Sequence, residues 1–154
     1  MKPKEISKLQ MNFSDTDLWH FTDIEPIKNQ ADKSSTVNLS TFKILGAAPS
    51  LFYKPSVNVR LKECRYCKIE MSVPTDISPR IACLQLTLNG NELTQFRIPL
   101  LQDGQLHHYS YDMKLLPVKA MDRITALTIL PLYINSNATG KEIKLGKLSF
   151  TGAD

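Results

Sequence analysis

Apolar and polar residues alternate over most of the chain after position 65, and this period of two constrains the fold more than any other feature of the sequence. In the segments YCKIEMSV and IACLQLTL, the apolar residues at alternate positions are Cys67, Ile69, Met71, Val73, Ala82, Leu84, Leu86 and Leu88. Successive side chains of a strand point to opposite faces. The pattern therefore predicts strands with one buried and one solvated face.

Four further segments show this period and are predicted strands: TQFRIPL, LHHYSYDM, DRITALTILPLY and KEIKLGKLSF. In DRITALTILPLY the period places one face at Ile124, Ala126, Thr128 and Leu130, and the other at Leu127, Ile129 and Tyr133. Asn89-Gly90 predicts a hairpin turn, since both central positions of that turn need a positive φ. The segment QDGQ predicts a second turn, and Gly146 predicts a β-bulge within the last strand.

The first sixty residues are less regular. DLWHF and TVNLSTFKIL are predicted strands, NQADKSS is a polar loop, and GAAPSLFYKPSV is predicted to be loop. Helical spacing of apolar residues is approached only in residues 6–11 and 115–121. We therefore expect an all-β chain.

The predicted strands number about eight or nine and recur at intervals of about ten residues, which favours an antiparallel sandwich or barrel. Each sheet must bury one face, and two stacked sheets accomplish this. No Pro/Gly/Ser-rich linker divides the 154 residues, so residues 1–154 are predicted to form one domain. Residues 1–12 are predicted to be a flexible or peripheral N-terminal segment of it.

Charge and hydropathy weigh against two classes of partner. The net charge is +4, but Lys and Arg are interleaved with Asp and Glu rather than gathered into a basic stripe, so nucleic acid is not a predicted partner. No run of 18 apolar residues predicts a membrane-spanning helix. Glu5, Lys8 and Gln10 interrupt any apolar segment of a signal peptide. The sequence leaves the cellular compartment and the oligomeric state open.

Three cysteines, Cys64, Cys67 and Cys83, do not suggest a disulfide framework. CRYC has the spacing of half a zinc site, but no second pair of ligands follows, so the cysteines are interpreted as small apolar residues. His107 and His108 are adjacent on a strand and point to opposite faces, so they cannot share one metal ion. No metal site is predicted.

No catalytic residues are predicted. Cleavage of a glycosidic bond usually requires two carboxylates at a set separation, and the acidic residues are scattered through loops. Glu70 and Asp112 lie on predicted strands, where a solvated face explains them better than a catalytic pair. A nucleophile elbow and a Gly-rich phosphate loop are both absent from the sequence. We therefore expect a protein that is not an enzyme.

The segments after position 65 resemble the galactose-binding-like jelly rolls, the β-sandwich of many carbohydrate-binding modules. YCKIEMSV resembles their central strand, LQLTLNGNELTQFRIPLLQDGQLHHYSYDM resembles the next three strands, and GKEIKLGKLSF resembles the last strand. DRITALTILPL is similar to a strand that ends in an apolar-Pro pair, although relatives often carry an Arg and an Asp there that this chain lacks. The resemblance implies an all-β, antiparallel two-sheet jelly-roll sandwich.

The same resemblance implies function. Such domains commonly bind an oligosaccharide or polysaccharide without cleaving it, as accessory domains of carbohydrate-active or cell-surface proteins. Many hold a structural calcium near the chain ends, where the matching residues here are Asp15, Asp17 and Asp154, and the match is poor. We therefore expect a noncatalytic carbohydrate-binding module without a cofactor.

Sugar recognition relies on aromatic rings that pack against apolar C–H faces and on planar polar side chains that bond to hydroxyls. The outward positions of the predicted strands supply the candidate binding residues Tyr66, Glu70, Gln85, Thr87, Arg97, His108 and Asp112. Any solvated strand face is polar, so this set alone does not define a site. Trp19 is predicted to pack in the core or at its rim, and Tyr53 is a candidate for stacking from a loop.

Two functional hypotheses follow. A carbohydrate-binding module predicts an exposed groove with an accessible aromatic ring beside Arg97 or Gln85. The alternative, a structural or protein-interaction sandwich, predicts a flat apolar patch or an edge strand that pairs with another chain.

Overall fold

The computed structural model describes residues 5–11, 13, 18–27, 40–55, 59–76, 81–117, 119, 121–132 and 138–153. These residues contain two 3₁₀ turns, Leu61–Glu63 and Met113–Leu115. They also form twelve strands: β1 (Glu5–Met11), β2 (Trp19–Thr22), β3 (Ile24–Pro26), β4 (Ser40–Ile44), β5 (Ser50–Tyr53), β6 (Val59–Arg60), β7 (Tyr66–Ser72), β8 (Ile81–Leu88), β9 (Glu92–Pro99), β10 (Leu106–Asp112), β11 (Arg123–Leu130) and β12 (Glu142–Ala153).

The strands form two antiparallel sheets of six strands each, which confirms the predicted sandwich. Sheet A has the order β10-β7-β12-β4-β3, with β1 also paired to β12. Sheet B has the order β2-β5-β11-β8-β9, with β6 also paired to β11. No helix in the described part of the chain has the length and apolar character needed to cross a membrane.

The strand count exceeds the eight or nine predicted because the irregular first sixty residues contribute six strands, several of them only two to four residues long. Such short segments show too few alternations to stand out in a sequence. The predicted loop GAAPSLFYKPSV contains β5, and residues 6–11, whose spacing approaches a helical one, lie in β1. This part of the predicted N-terminal segment pairs with β12 in sheet A.

The inner faces of both sheets meet in one hydrophobic core, as the alternation predicts. Leu84, Leu86, Ile69 and Met71 have at most 1% of their surface exposed. Trp19 is buried as predicted, and its ring centroid lies 4.7 Å from Phe13 and 4.9 Å from Tyr53. The register of both sheets is fixed by this burial, because a slip of one residue would exchange the core side chains for polar ones.

The partition predicted for β11 is wrong at Ile124 and correct for the residues after it. Ile124 faces the core, but the register with β8 shifts between Ile124 and Ala126, so Leu127 and Ile129 are the next core residues. Thr125 is the extra residue of this bulge: its hydroxyl donates to the Thr87 carbonyl at 3.1 Å and accepts from the Gly90 N–H at 3.0 Å. Thr128 therefore joins the outer face. Tyr133 lies outside the described residues.

The turn predicted at Asn89-Gly90 is confirmed, with φ values of 55° and 84°. The Asn89 side chain donates to Asp122 Oδ1 at 3.0 Å and accepts from the Arg123 N–H at 3.1 Å. Asp122 is buried, and its Oδ2 accepts from the Lys119 N–H at 2.8 Å. These bonds tie the β8–β9 turn to the start of β11. They also hold the pKa of the Asp122 carboxyl below its usual value, the Lys119 bond most strongly.

Truncating a core side chain of β8 and, separately, its outward neighbour tests which face of the strand each residue occupies. We expect Leu84→Ala to lower the free energy of unfolding by about 2–5 kcal/mol, because it leaves a cavity in a fully buried site. Gln85→Ala should change it by no more than about 0.5 kcal/mol. Urea unfolding measures both. Equal losses for the two variants would contradict the assigned register.

The hydrogen bonds to Asp122 should affect how the free energy of unfolding depends on pH in the acidic range. A carboxyl whose folded-state pKa is lowered stabilises the fold above its unfolded pKa of about 3.9, and this contribution is lost as the pH falls through the folded value. We expect the unfolding free energy of the native protein to fall more steeply below about pH 4 than that of Asp122→Asn. Urea unfolding at a series of acidic pH values tests this, and parallel curves for the two proteins would refute it.

Candidate functional site

The structure divides the seven candidate residues between two opposite faces of the sandwich. Tyr66 and Glu70 on β7, with His108 and Asp112 on β10, lie on the outer face of sheet A. The other three, on β8 and β9, lie on the outer face of sheet B: Gln85, Thr87 and Arg97. Since both inner faces pack into one core, these two outer faces point away from each other. The seven residues therefore do not come together in one site.

On sheet B, one residue from each of five neighbouring strands lies in register across the outer face. The strand pairings join these residues side by side in the order His20, Phe52, Thr128, Gln85 and Gln95. We call this set the five-strand row. Residues in register on adjacent strands lie about 4.8 Å apart, so the row runs about 19 Å across the sheet, perpendicular to the strands.

The five-strand row combines an aromatic end with an amide end. The Phe52 ring is 37% exposed, and its centroid lies 6.2 Å from that of His20. At the other end, the Gln85 amide donates to Gln95 Oε1 at 3.2 Å. Thr128 lies between the two ends. Aromatic, hydroxyl and amide groups thus follow one another along one line of the surface.

Next to the row lies a hollow of about 470 Å³. Phe52 and Thr87 line it, together with Lys54, Gly90, Thr125 and Ala126. Arg97, the third candidate on this sheet, is exposed and lies opposite Cys83 in the β8–β9 pairing. The expected aromatic residue near Gln85 is therefore Phe52, which is separated from it on the same face by Thr128.

Sequence reasoning missed Phe52 and His20. Both lie in strands of four residues, β2 and β5, where an alternation is too short to read. The predicted loop aromatic, Tyr53, instead turns toward the core, where its ring packs on Trp19. Two triplets, Trp-His-Phe and Leu-Phe-Tyr, could have indicated these residues. In each triplet an exposed middle residue lies between two residues that pack inward.

On sheet A, the four candidates have different roles. Asp112 accepts from the Arg65 guanidinium at 3.3 Å and from the Lys114 N–H at 3.0 Å, where it caps a 3₁₀ turn. The Arg65 guanidinium also lies over the Tyr66 ring, 5.2 Å from its centroid. Glu70 and His108 are register partners, with Glu70 Oε1 and His108 Nδ1 separated by 4.0 Å.

His107 and the cysteines have structural roles. His107 Nε2 lies 2.8 Å from both carboxylate oxygens of Asp103, so the ring is hydrogen-bonded at the surface end of β10. The three cysteines are free and buried. Burial raises the pKa of the Cys64 thiol to about 12, and it raises those of Cys67 and Cys83 as well. Thiols rather than thiolates are therefore present at neutral pH.

Within the described residues, no three His, Cys, Asp or Glu side chains are grouped so as to hold a metal ion. The three aspartates named for a structural calcium, Asp15, Asp17 and Asp154, lie outside the described residues. The calcium expectation therefore stays untested.

Comparison with known proteins adds a fold but no sequence relative. No protein-family model and no curated protein matches the chain. Similar solved structures include the low-affinity xylan-binding module CBM86 from Roseburia intestinalis, with a TM-score of 0.51 and 11% identity over 97% of this chain and 95% of that one. Another is the family 11 carbohydrate-binding module from Clostridium thermocellum, with a TM-score of 0.57 and 8% identity over 94% and 96%.

A third similar structure is the agarase AgWH50C, with a TM-score of 0.63 and 10% identity. The match covers 97% of this chain but 26% of the agarase, so the chain corresponds to about a quarter of that enzyme's length. The chain thus has a two-sheet antiparallel β-sandwich fold. More particularly, its fold is similar to that of the solved carbohydrate-binding modules CBM86 and family 11.

Proposed function

We propose that this protein is a noncatalytic carbohydrate-binding module and that the five-strand row is the surface on which an oligosaccharide or polysaccharide lies. The observation that carries the proposal is the register of the row, which aligns an exposed aromatic ring with a hydroxyl and two amides. The similarity to solved carbohydrate-binding modules supports it at the level of the fold. Neither a cofactor nor a metal ion is part of the proposal.

The chemistry of the row suits a sugar chain. The C–H face of a pyranose ring is apolar and packs on an aromatic ring such as Phe52, while its hydroxyls both donate and accept hydrogen bonds. An amide side chain offers both a donor and an acceptor, as Gln85 and Gln95 do. A length of about 19 Å lets several linked sugars lie across the strands. Thr87 and Arg97, in the neighbouring register positions, extend the polar surface on either side.

The noncatalytic part of the proposal rests on the same side chains. The five-strand row holds an imidazole, a phenyl ring, a hydroxyl and two amides, and none of these is a carboxylate. Cleavage of a glycosidic bond by the usual mechanisms needs a pair of carboxylates at the bond. The chain is accordingly proposed to act as an accessory domain that holds a carbohydrate for a carbohydrate-active or cell-surface protein.

The proposal predicts a binding loss confined to the row. A glycan array identifies a bound oligosaccharide, and titration calorimetry then measures its affinity for the variants. We expect Phe52→Ala to weaken binding by about tenfold, equivalent to about 1.4 kcal/mol, because the stacking surface is lost. Gln85→Ala should weaken it by about fivefold through a lost hydrogen bond.

Leu101→Ala is the matched control, since Leu101 is an exposed apolar residue outside the row. Its affinity should equal that of the native protein. The proposal fails if no glycan binds, or if Phe52→Ala and Leu101→Ala bind equally well.

One observation favours the alternative, a protein-interaction sandwich. Strand β9 lies at the edge of sheet B and pairs only with β8 among the described strands. Leu93, a residue of β9, is 72% exposed. Leu93 and Leu115, which is 70% exposed, both line a hollow of about 550 Å³. An apolar patch beside an open strand edge is suited to pairing with a second copy of the chain.

Light scattering after size exclusion tests this alternative. A dimer that Leu93→Lys converts to a monomer would support it, because a buried lysine at the interface is unfavourable. A monomer at all concentrations, or a dimer that Leu93→Lys leaves intact, would rule it out for this patch. Leu45→Lys serves as the control, because Leu45 is exposed and follows β4, a strand of the other sheet.

A further inference from the structure

The outer face of sheet A holds a groove that the proposed function does not use. It lies over the edge strand β10 and the adjacent strands β7 and β12, and it has a volume of about 380 Å³. We call it the Glu70 groove, and its polar lining consists of Lys68, Glu70, His108, Lys147, Ser149 and Thr151. It lies on the side of the sandwich opposite to the five-strand row.

The floor of the groove is shaped by a bulge in β12, which confirms the bulge predicted at Gly146. Leu145 pairs with Met71 and Leu148 with Ile69, so both Gly146 and Lys147 lie opposite Glu70. A Cβ atom on Gly146 would lie 2.8 Å from both Cβ and Oε2 of Glu70. The glycine therefore makes the space into which the Glu70 side chain folds.

Glu70 is placed unusually for a carboxylate on an outer face. Its side chain is only 15% exposed, and Oε2 is buried with no hydrogen-bond donor among the described residues. Oε1 lies 4.0 Å from His108 Nδ1, beyond hydrogen-bond distance. Oε2 is enclosed beside Gly146, so Oε1 is the carboxylate oxygen to which a ligand in the groove can donate a hydrogen bond.

The rest of the lining is suited to an anion. Lys68 and Lys147 line the groove together with one carboxylate, Glu70, so positive side chains outnumber negative ones, and the His108 imidazole adds a further polar group. A neutral sugar would offer these groups no counter-charge, and a simple anion such as sulfate has no hydroxyl for Glu70. A ligand that bears an acidic group close to a hydroxyl satisfies both requirements.

The length of the groove favours a saccharide over a single small molecule. Along β12 the lining residues run from Lys147 through Ser149 to Thr151, a distance of about 13 Å. Ser149 and Thr151 are buried on this outer face and add hydroxyls to the floor. Beyond Thr151, its register partner Tyr66 lies beneath the cationic groups of Arg65 and Lys68, within 6 Å of its ring centroid.

We propose that the Glu70 groove is a second binding site, which takes an acidic saccharide. A sugar hydroxyl donates to Glu70 Oε1, and the carboxylate or sulfate of the same or the next sugar accepts from Lys147 and His108. The site stands on its own observations and does not depend on binding at the five-strand row. The protein is then a two-faced module that holds one glycan on each side.

Titration calorimetry of the whole chain tests the proposal with three probes: tri-galacturonate, its methyl ester, and a galactose trisaccharide that carries sulfate. The two acidic probes distinguish the carboxylate from the sulfate as the anionic group. We expect at least one of them to bind, and the ester to bind at least about tenfold more weakly because its charge is gone.

Variants then locate the site. Lys147→Gln and Glu70→Gln should each weaken binding of the acidic probe by about tenfold, because each removes a charged hydrogen-bonding partner. Lys144→Gln is the matched control, since it is an exposed lysine of the same strand outside the groove. Phe52→Ala, on the opposite face, should leave binding of the acidic probe unchanged.

Five outcomes would overturn the proposal. In the first two, neither acidic probe binds, or the ester binds as well as the acid. In the other three, Lys144→Gln weakens binding as much as Lys147→Gln, Glu70→Gln tightens binding, or Phe52→Ala abolishes it, which would place the ligand on the opposite face. Each result leaves the five-strand row to be judged by its own variants, so the two proposals succeed or fail separately.

Discussion

Burial of the two inner sheet faces against each other is the interaction on which the rest of this structure depends. Leu84, Leu86, Ile69 and Met71 are core residues because they alternate with polar residues such as Lys68, Glu70 and Gln85, which lie on the outer faces. Once these residues are inside, the outward positions of β7, β8, β9 and β10 are determined as well. The surfaces on which any ligand meets this protein are thus a consequence of how the core packs.

This dependence explains what the sequence can predict. Alternation in the long strands separates inward from outward residues, except at Ile124 of β11. Asn89-Gly90 and Gly146 likewise mark a turn and a bulge that the structure confirms. Alternation does not say which sheet a strand joins, because strands neighbouring in sequence, such as β7 and β8, lie in different sheets. The outward candidates Glu70 and Gln85 therefore lie on opposite faces, although both were read correctly as outward.

Two further errors have local causes. The bulge at Thr125 changes the phase of β11, and no pattern of apolar residues reveals a threonine that bonds to backbone groups of a neighbouring strand and turn. Phe52 lies in a strand too short to recognise, so the aromatic member of the five-strand row was not a candidate. Pairing between distant segments creates both features.

The two outer faces differ in chemistry, and the difference follows from their strands. The five-strand row crosses sheet B with an imidazole, a phenyl ring, a hydroxyl and two amides, whereas the Glu70 groove on sheet A is lined by lysines and a largely buried carboxylate. The hairpin turn of β8 and β9 is fastened to β11 through Asn89 and Asp122, which keeps three of the five strands beneath the row in a fixed relation.

The place of β12 in sheet A has a consequence for synthesis. This strand pairs with β1, β4 and β7, yet it follows all of them in the chain. On a ribosome, every strand of sheet B in the described chain emerges before it, while sheet A still lacks its middle member. The inner face of sheet B thus stays partly exposed until β12 joins sheet A. Exposed apolar surface of this kind is what chaperones bind during synthesis.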